Sequence, residues 1–261
     1  SIAMRHDDMA QGLAKKMSAL SASDRASQAE QAPLWGVPFA LKDLGIALKD
    51  TVTTQGCAFF KDAVADHDST LVQRYQAAGL NIFAKTTSPE FGQTATTESR
   101  LFGLTRNPWN LAMSAGGSSG GAAAAVAAGI LPMAHASDGG GSIRIPASHC
   151  GLLGLKPSRG LVPMGPKMLE GWLGLSAQNV ISRSVRDTAL LLQRTQGPEA
   201  GGRSGPQAGD LMDALAQPPK RLRIALMLQN PSSLDALAVA LHRANVPRDR
   251  MHRRRLSRDR K

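Results

Sequence analysis

Ser114–Gly121 reads SAGGSSGG and runs directly into Ala122–Ala128, AAAAVAA; after Gly129 and the apolar run Leu131–Ala136 comes a second such loop, Ser137–Ser142, SDGGGS, followed by Ile143–Pro146, IRIP. Alanine is the strongest helix former, and a glycine just past the run supplies the left-handed stop. The stretch therefore predicts a helix over 122–128 and a buried strand over 131–136. Two glycine–serine loops bracket that helix and strand, a layout that brings both loops to one end of a sheet, where α/β proteins bind ligands. Glycine clustered in this way marks backbone that must approach something closely.

Upstream, Gly36–Leu41 (GVPFAL) reads as a short apolar strand ending at Lys42-Asp43. Asp68-Ser69-Thr70 opens a helix through Ala78, Gly79 closes it, and Leu80–Ala84 follows as a strand. This helix-to-strand alternation is typical of α/β proteins. His6–Leu20 predicts an amphipathic helix, with Met9, Leu13, Met17 and Leu20 at helical spacing. Ser21–Pro33 is small and polar and reads as a linker. Downstream, Ser182-Arg183-Ser184 caps a helix to about Thr195. Residues 197–219 are rich in Gly and Pro and read as a linker or long loop, and 220–245 as a strand (Arg221–Leu228) followed by a helix (Ser232–Ala244).

The chain has 261 residues, 42% hydrophobic and 20% charged, which is ordinary for a globular protein. Aromatic content of 4% leaves the core to Ala, Leu, Val and Ile. The net charge of +11 is concentrated at one end: Val246–Lys261 carries eight Lys or Arg against Asp249 and Asp259. Without aromatic residues for base stacking, 246–261 reads as a solvated, disordered tail, and no nucleic acid is expected. Two cysteines, Cys57 and Cys150, are too few for a disulfide framework or a four-cysteine zinc site. No run of 18 apolar residues offers a membrane span, and a cytoplasmic location is the default expectation.

Glycine–serine loops of this kind serve three chemistries. A phosphate cradle fails because neither GxxxxGK[ST] nor a strand-to-helix GxGxxG occurs. A nucleophile elbow matches Gly116–Gly120, but Asn107–Met113 (NPWNLAM) is turn-like where a buried strand is needed. Its best downstream pair, Asp235 and His242, lies on one predicted helix. The third reading uses both loops. Three glycines before Ser142 can present N–H donors as a concave nest, Lys42 stands at the end of an apolar strand that can desolvate it, and Ser118 can pass a proton between them.

These residues resemble the amidase-signature family. The resemblance is carried by Gly116–Gly129, Ser137–Ala147 (SDGGGSIRIPA) and Cys150–Gly160 (CGLLGLKPSRG), and by Gly36–Leu44 (GVPFALKDL), Ala84–Gly92 (AKTTSPEFG) and Arg106–Trp109 (RNPW) in the same order. It covers residues 34–196, the expected catalytic core. It implies an α/β fold with a mixed β-sheet flanked by helices, incomplete here because the family's catalytic domain is longer at both ends. It also implies hydrolysis of a carboxylic amide through an acyl-enzyme, with Ser142 as nucleophile, Ser118 as a bridging serine after a cis Gly117–Ser118 bond, and Lys42 as base.

The same resemblance implies an oxyanion hole from the N–H groups of Gly139, Gly140, Gly141 and Ser142. Gly117, Ser119, Asp138 and Arg144 are expected to support the loops, Asp138 and Arg144 as an ion pair and Ser119 by tuning the site or capping its helix. His135 and Cys150 are expected in the core, and Cys57 and Trp172 near the acyl pocket. Neither cofactor nor metal is expected. The partner is a small-molecule amide, and a homodimer is left open. Gly165–Ser176 (GPKMLEGWLGLS) looks closer to bacterial amidases acting on aliphatic, aryl or cyclic oligoamides than to the tRNA-dependent amidotransferase subunit. An inactive truncated fragment, an amidotransferase-subunit-like activity and carboxylesterase activity are the alternatives.

Overall fold

The continuous apolar run Pro38–Leu41, ending at Lys42, produces a strand that is buried from Phe39 onward, and it forms the centre of what positions the site. The computed structural model describes residues 1–202, 205, 207–217, 224–225 and 251–252. The chain divides into two units, Ser1–Leu215 and Ala216–Lys261. In the first, the elements are β1 (Ile2–Arg5), α1 (Asp7–Ser18), α2 (Ala22–Gln31), β2 (Pro38–Lys42), α3 (Thr70–Ala77) and β3 (Asn81–Thr86). Two small hairpins follow, β4 (Glu98–Ser99) with β5 (Gly103–Leu104) and β6 (Arg106–Asn107) with β7 (Asn110–Ser114). Then come α4 (Gly120–Ala127), β8 (Met133–Asp138), α5 (Arg144–His149), β9 (Leu153–Gly154), β10 (Ala177–Ser182), α6 (Val185–Thr195) and α7 (Leu211–Ala216).

The sheets are mixed. Strand β2 runs parallel to β3 through the α3 crossover, and β1 adds antiparallel to the other edge of β3. A second sheet has the order β8-β10-β9, all antiparallel. Strand β8 lies against β2, and the Lys42 backbone N–H donates to His135 Nδ1 at 3.1 Å across that contact. Helix α4 is apolar all round and buried from Gly120 to Val126, as expected for a helix enclosed on every side. Its first turn admits only glycine at position 121, where a Cβ would stand 2.4 Å from the Thr87 nitrogen. An alanine-rich cluster therefore packs around α4, while a Leu- and aromatic-rich one, with Phe39 against Tyr75 at 4.8 Å, fills the space around α3.

The predicted helices at 6–20, 68–78, 122–128 and 182–195 and the strands at 36–41, 80–84 and 131–136 all form, with shifted ends. Several readings need correction. The linker read at Ser21–Pro33 contains α2, whose Ser21 hydroxyl accepts the Asp24 N–H at 3.1 Å. This helix buries no residue, so it has no apolar stripe for periodicity to find. Strand β1 was missed because its partner β3 lies far along the chain. Within 197–219, Asp210 caps α7, and Ala208 and Leu211 pack on the core. The turn-like Asn107–Met113 is a turn followed by β7, whose residues are exposed up to Ser114, so no buried strand precedes Gly116–Gly120.

In the second unit, Ile224–Ala225 pairs in parallel with Met251–His252. The former lies inside the predicted strand Arg221–Leu228, and the latter inside the segment 246–261 read as a tail. The predicted helix Ser232–Ala244 and the rest of the basic segment lie outside the described residues.

Candidate active site

Lys42, the last residue of β2, is fully buried. Its Nζ donates to Ser118 Oγ at 2.7 Å and to Ser137 Oγ at 3.1 Å. Burial disfavours the ammonium and lowers its pKa to about 7, against the pull of Asp138 in the opposite direction. A lysine in this state is half neutral near pH 7 and can accept a proton. Ser118 follows a cis Gly117–Ser118 peptide bond and is almost wholly buried. Thr97 supports this turn, its hydroxyl donating to Gly116 O at 2.9 Å and accepting the Gly120 N–H at 3.0 Å.

The two glycine–serine loops meet. The Ser119 N–H donates to Ser142 O at 3.2 Å, and the Ser119 hydroxyl donates to Ser137 O at 3.3 Å. This sets aside capping as the role of Ser119: it occupies the N-cap position of α4, but its side chain makes no cap bond and ties the loops together. Asp138 is the anchor of the second loop. It accepts the N–H groups of Gly141 (2.7 Å), Ile143 (3.1 Å) and Arg144 (3.3 Å), and the Arg144 guanidinium grips it bidentately at 2.9 Å through both Nε and Nη2. Burial pushes this carboxyl upward, but Arg144 and the backbone donors outweigh it and hold the group below the usual carboxylate range.

That anchoring removes one expected oxyanion donor, because the Gly141 N–H is already committed to Asp138. The N–H groups of Gly139, Gly140 and Ser142 have no acceptor among the described residues. Ser142 is half-buried and shares with Ser118, Ser137 and Gly139 a cavity of about 330 Å³. Its hydroxyl has no hydrogen-bond partner among the described residues, so the step from Ser118 to Ser142 is a shared cavity and not a formed bond. Catalytic hydrogen bonds are often loose in unliganded enzymes.

Other singled-out residues fall into place around the cavity. His135 is buried and neutral, its Nδ1 accepting from Lys42 and its Nε2 paired with Gln178 Oε1 at 2.9 Å; burial lowers its pKa to about 3. Cys150 is buried, and burial raises its thiol to about 11. Trp172 lines the cavity, whereas Cys57 is absent from its described lining. Lys85 and Asp43 were not singled out. Lys85 is also buried, which lowers its pKa to about 8 against the pull of Asp43, and it donates to the Thr53 hydroxyl. Asp43 accepts the N–H groups of Thr54 (2.8 Å) and Gly56 (3.3 Å). The one signal for this pair was a lysine in an otherwise apolar strand, which a surface position explains equally well. Among the described residues no His, Cys, Asp or Glu cluster could hold a metal, and no helix is long and apolar enough to cross a membrane.

A mixed α/β scaffold with a buried lysine hydrogen-bonded to a serine beside a glycine-lined cavity defines a hydrolase-like class of site. The amidase family model matches residues 9–243, and the chain belongs to the amidase-signature family. It is 42% identical over 213 residues to the 6-aminohexanoate-cyclic-dimer hydrolase of Paenarthrobacter ureafaciens, covering 79% of this chain and 43% of that protein. Among solved structures, a 6-aminohexanoate cyclic dimer hydrolase complexed with substrate superposes with a TM-score of 0.74 at 37% identity, over 88% of this chain and 50% of that one. A bacterial aryl acylamidase of the same family gives 0.72 at 35% identity, over 82% and 44%. The chain thus spans about half the length of the relatives it matches.

Proposed function

We propose that this chain hydrolyses the C–N bond of a small carboxylic amide, with Ser142 as nucleophile, Ser118 as proton bridge and Lys42 as base. The observation that carries the reading is the fully buried Lys42 Nζ, poised near neutrality and 2.7 Å from Ser118 Oγ, in register with the cavity that also holds Ser142. Ser142 Oγ attacks the carbonyl carbon while its proton passes through Ser118 Oγ to Lys42 Nζ. The oxyanion that forms is held by the free N–H groups of the Gly139–Ser142 turn, each such donor contributing roughly 3–4 kcal/mol to the barrier reduction. As the C–N bond breaks, the proton returns along the same path to the departing nitrogen, leaving an ester on Ser142. Water then attacks that ester, gives its proton to the relay, and releases the acid and the free serine.

Labelling of the purified chain with a fluorophosphonate tests this directly, beside Ser142→Ala and Lys42→Met. The reading expects labelling that is abolished in Ser142→Ala and strongly slowed in Lys42→Met. A folded chain that takes up no label overturns it and favours the inactive alternative.

A further inference from the structure

Part of the cavity lining comes from the segment Met164 to Ser176, and its chemistry is uneven. Met164, Met168 and Trp172 supply apolar surface, and Glu170 is the one charged side chain among the described lining residues. Trp172 is fixed close to the reacting atoms, since a Cβ on Gly139 would fall 2.9 Å from its ring. The segment's one cation is already engaged, Lys167 Nζ contacting both oxygens of Asp66 at 2.6 and 2.7 Å. Arg159, outside the segment, donates its Nε to Gly174 O at 2.9 Å, borders a second, smaller cavity beside Glu170 and makes no ion pair with it among the described residues. The Glu170 carboxylate has no hydrogen bond or ion pair among the described residues, in a chain whose net charge is +11. An acid left without a partner at the rim of an apolar, aromatic cavity attracts a cation whose body is apolar.

Resting on the proposed amidase reading, we infer that Glu170 selects amides carrying a positively charged amine separated from the scissile carbonyl by an apolar spacer. The ammonium sits against Glu170 and the face of Trp172, the spacer crosses the methionines, and the carbonyl reaches Ser142. A cavity of about 330 Å³ accommodates a short chain of this kind and little more.

The test compares three 4-nitroanilides of one shape: 5-aminopentanoyl, hexanoyl and the hexanedioic half-anilide, which end in an ammonium, a methyl and a carboxylate. Expected is a kcat/KM order of cation, neutral, anion, with the cation ahead of the neutral by about three- to fivefold at low salt, the size a solvent-facing charge pair gives. The lead shrinks at high ionic strength. In Glu170→Gln the ratio of cationic to neutral falls to near one, and in Glu170→Lys the anionic substrate leads. A second measurement does not need turnover. On the Ser142→Ala chain, titration followed by tryptophan fluorescence gives Kd values for 5-aminopentanamide and hexanamide, and the former binds tighter by a similar factor that Glu170→Gln removes. Equal ratios in both measurements, or a preference unchanged by Glu170→Gln, overturn the inference while leaving the amidase reading intact. Selective binding without turnover or fluorophosphonate labelling overturns the amidase reading and keeps the selectivity.

Discussion

The region from Ser114 to Cys150 and the segment from Met164 to Ser176 border the same cavity and are built on opposite principles. In the first, Ala115–Val126 is buried without a break, and Gly117 and Gly121 stand where any side chain would collide with the backbone of Thr96 and Thr87. Asp138 is fully subscribed, holding the Gly141, Ile143 and Arg144 N–H groups and the Arg144 guanidinium. In the second, Leu173 and Leu175 face outward, Trp172 and Leu173 hold left-handed φ angles near +50°, and Glu170 has no partner among the described residues. Reacting groups need fixed geometry, which close-packed backbone supplies. Recognition needs surface that can vary without unravelling the fold, and an exposed loop supplies that.

Breaking the first region carries the largest expected effects. Lys42→Met keeps the volume and removes the proposed base, and it should lower labelling and turnover by about 10²–10⁴-fold. Gly121→Ala should overpack the contact with Thr87 and cost about 1–3 kcal/mol or more, read by denaturant unfolding. Asp138→Asn weakens the bidentate grip of Arg144 and disturbs the Gly141 and Ile143 bonds. A loss of roughly 1–3 kcal/mol is expected, with slower labelling because the nucleophile turn loosens.

A pH series sharpens the comparison from a different side. Lys42 must be neutral to act, so kcat/KM should climb with pH through about 7 and level off above it. Stability follows the same sign. A lysine whose folded pKa is lowered binds more protons when unfolded, over the interval from about 7 to the ordinary value of 10.5, so stability rises with pH there. Lys85, lowered to about 8, adds to the upper part of that rise. Lys42→Met should flatten the lower part, and an unchanged slope would contradict the neutral lysine. The smallest effect belongs to the second region. Leu173→Asn places a residue tolerant of left-handed backbone at φ +53° on an exposed site and should shift stability by no more than about 0.5 kcal/mol.

Legibility in the sequence followed the same division. Helix α4 and strand β8 could be read from an alanine run, a stop glycine and an apolar run, all local signals. The serine–glycine loops announced close backbone approach because no other composition tolerates it. Helix α2 could not be read by periodicity, having no buried face, and β1 was invisible because its partner strand lies some eighty residues away. Position alone left Ser119 between tuning the site and capping its helix; its hydroxyl goes to Ser137, a choice made by the packing of one loop on the other.

By itself, then, the order of motifs determined the family, and with it Lys42, Ser118 and Ser142 as the candidates for chemistry, because residue type and loop composition are local properties. What the tertiary structure alone decided was their state. Burial of Lys42 beneath β8, the loss of the Gly141 N–H to Asp138, and the isolation of Glu170 at the cavity rim each depend on which distant groups come within a few ångströms. Desolvation and hydrogen bonding act over just that range, and separation along the chain does not report it.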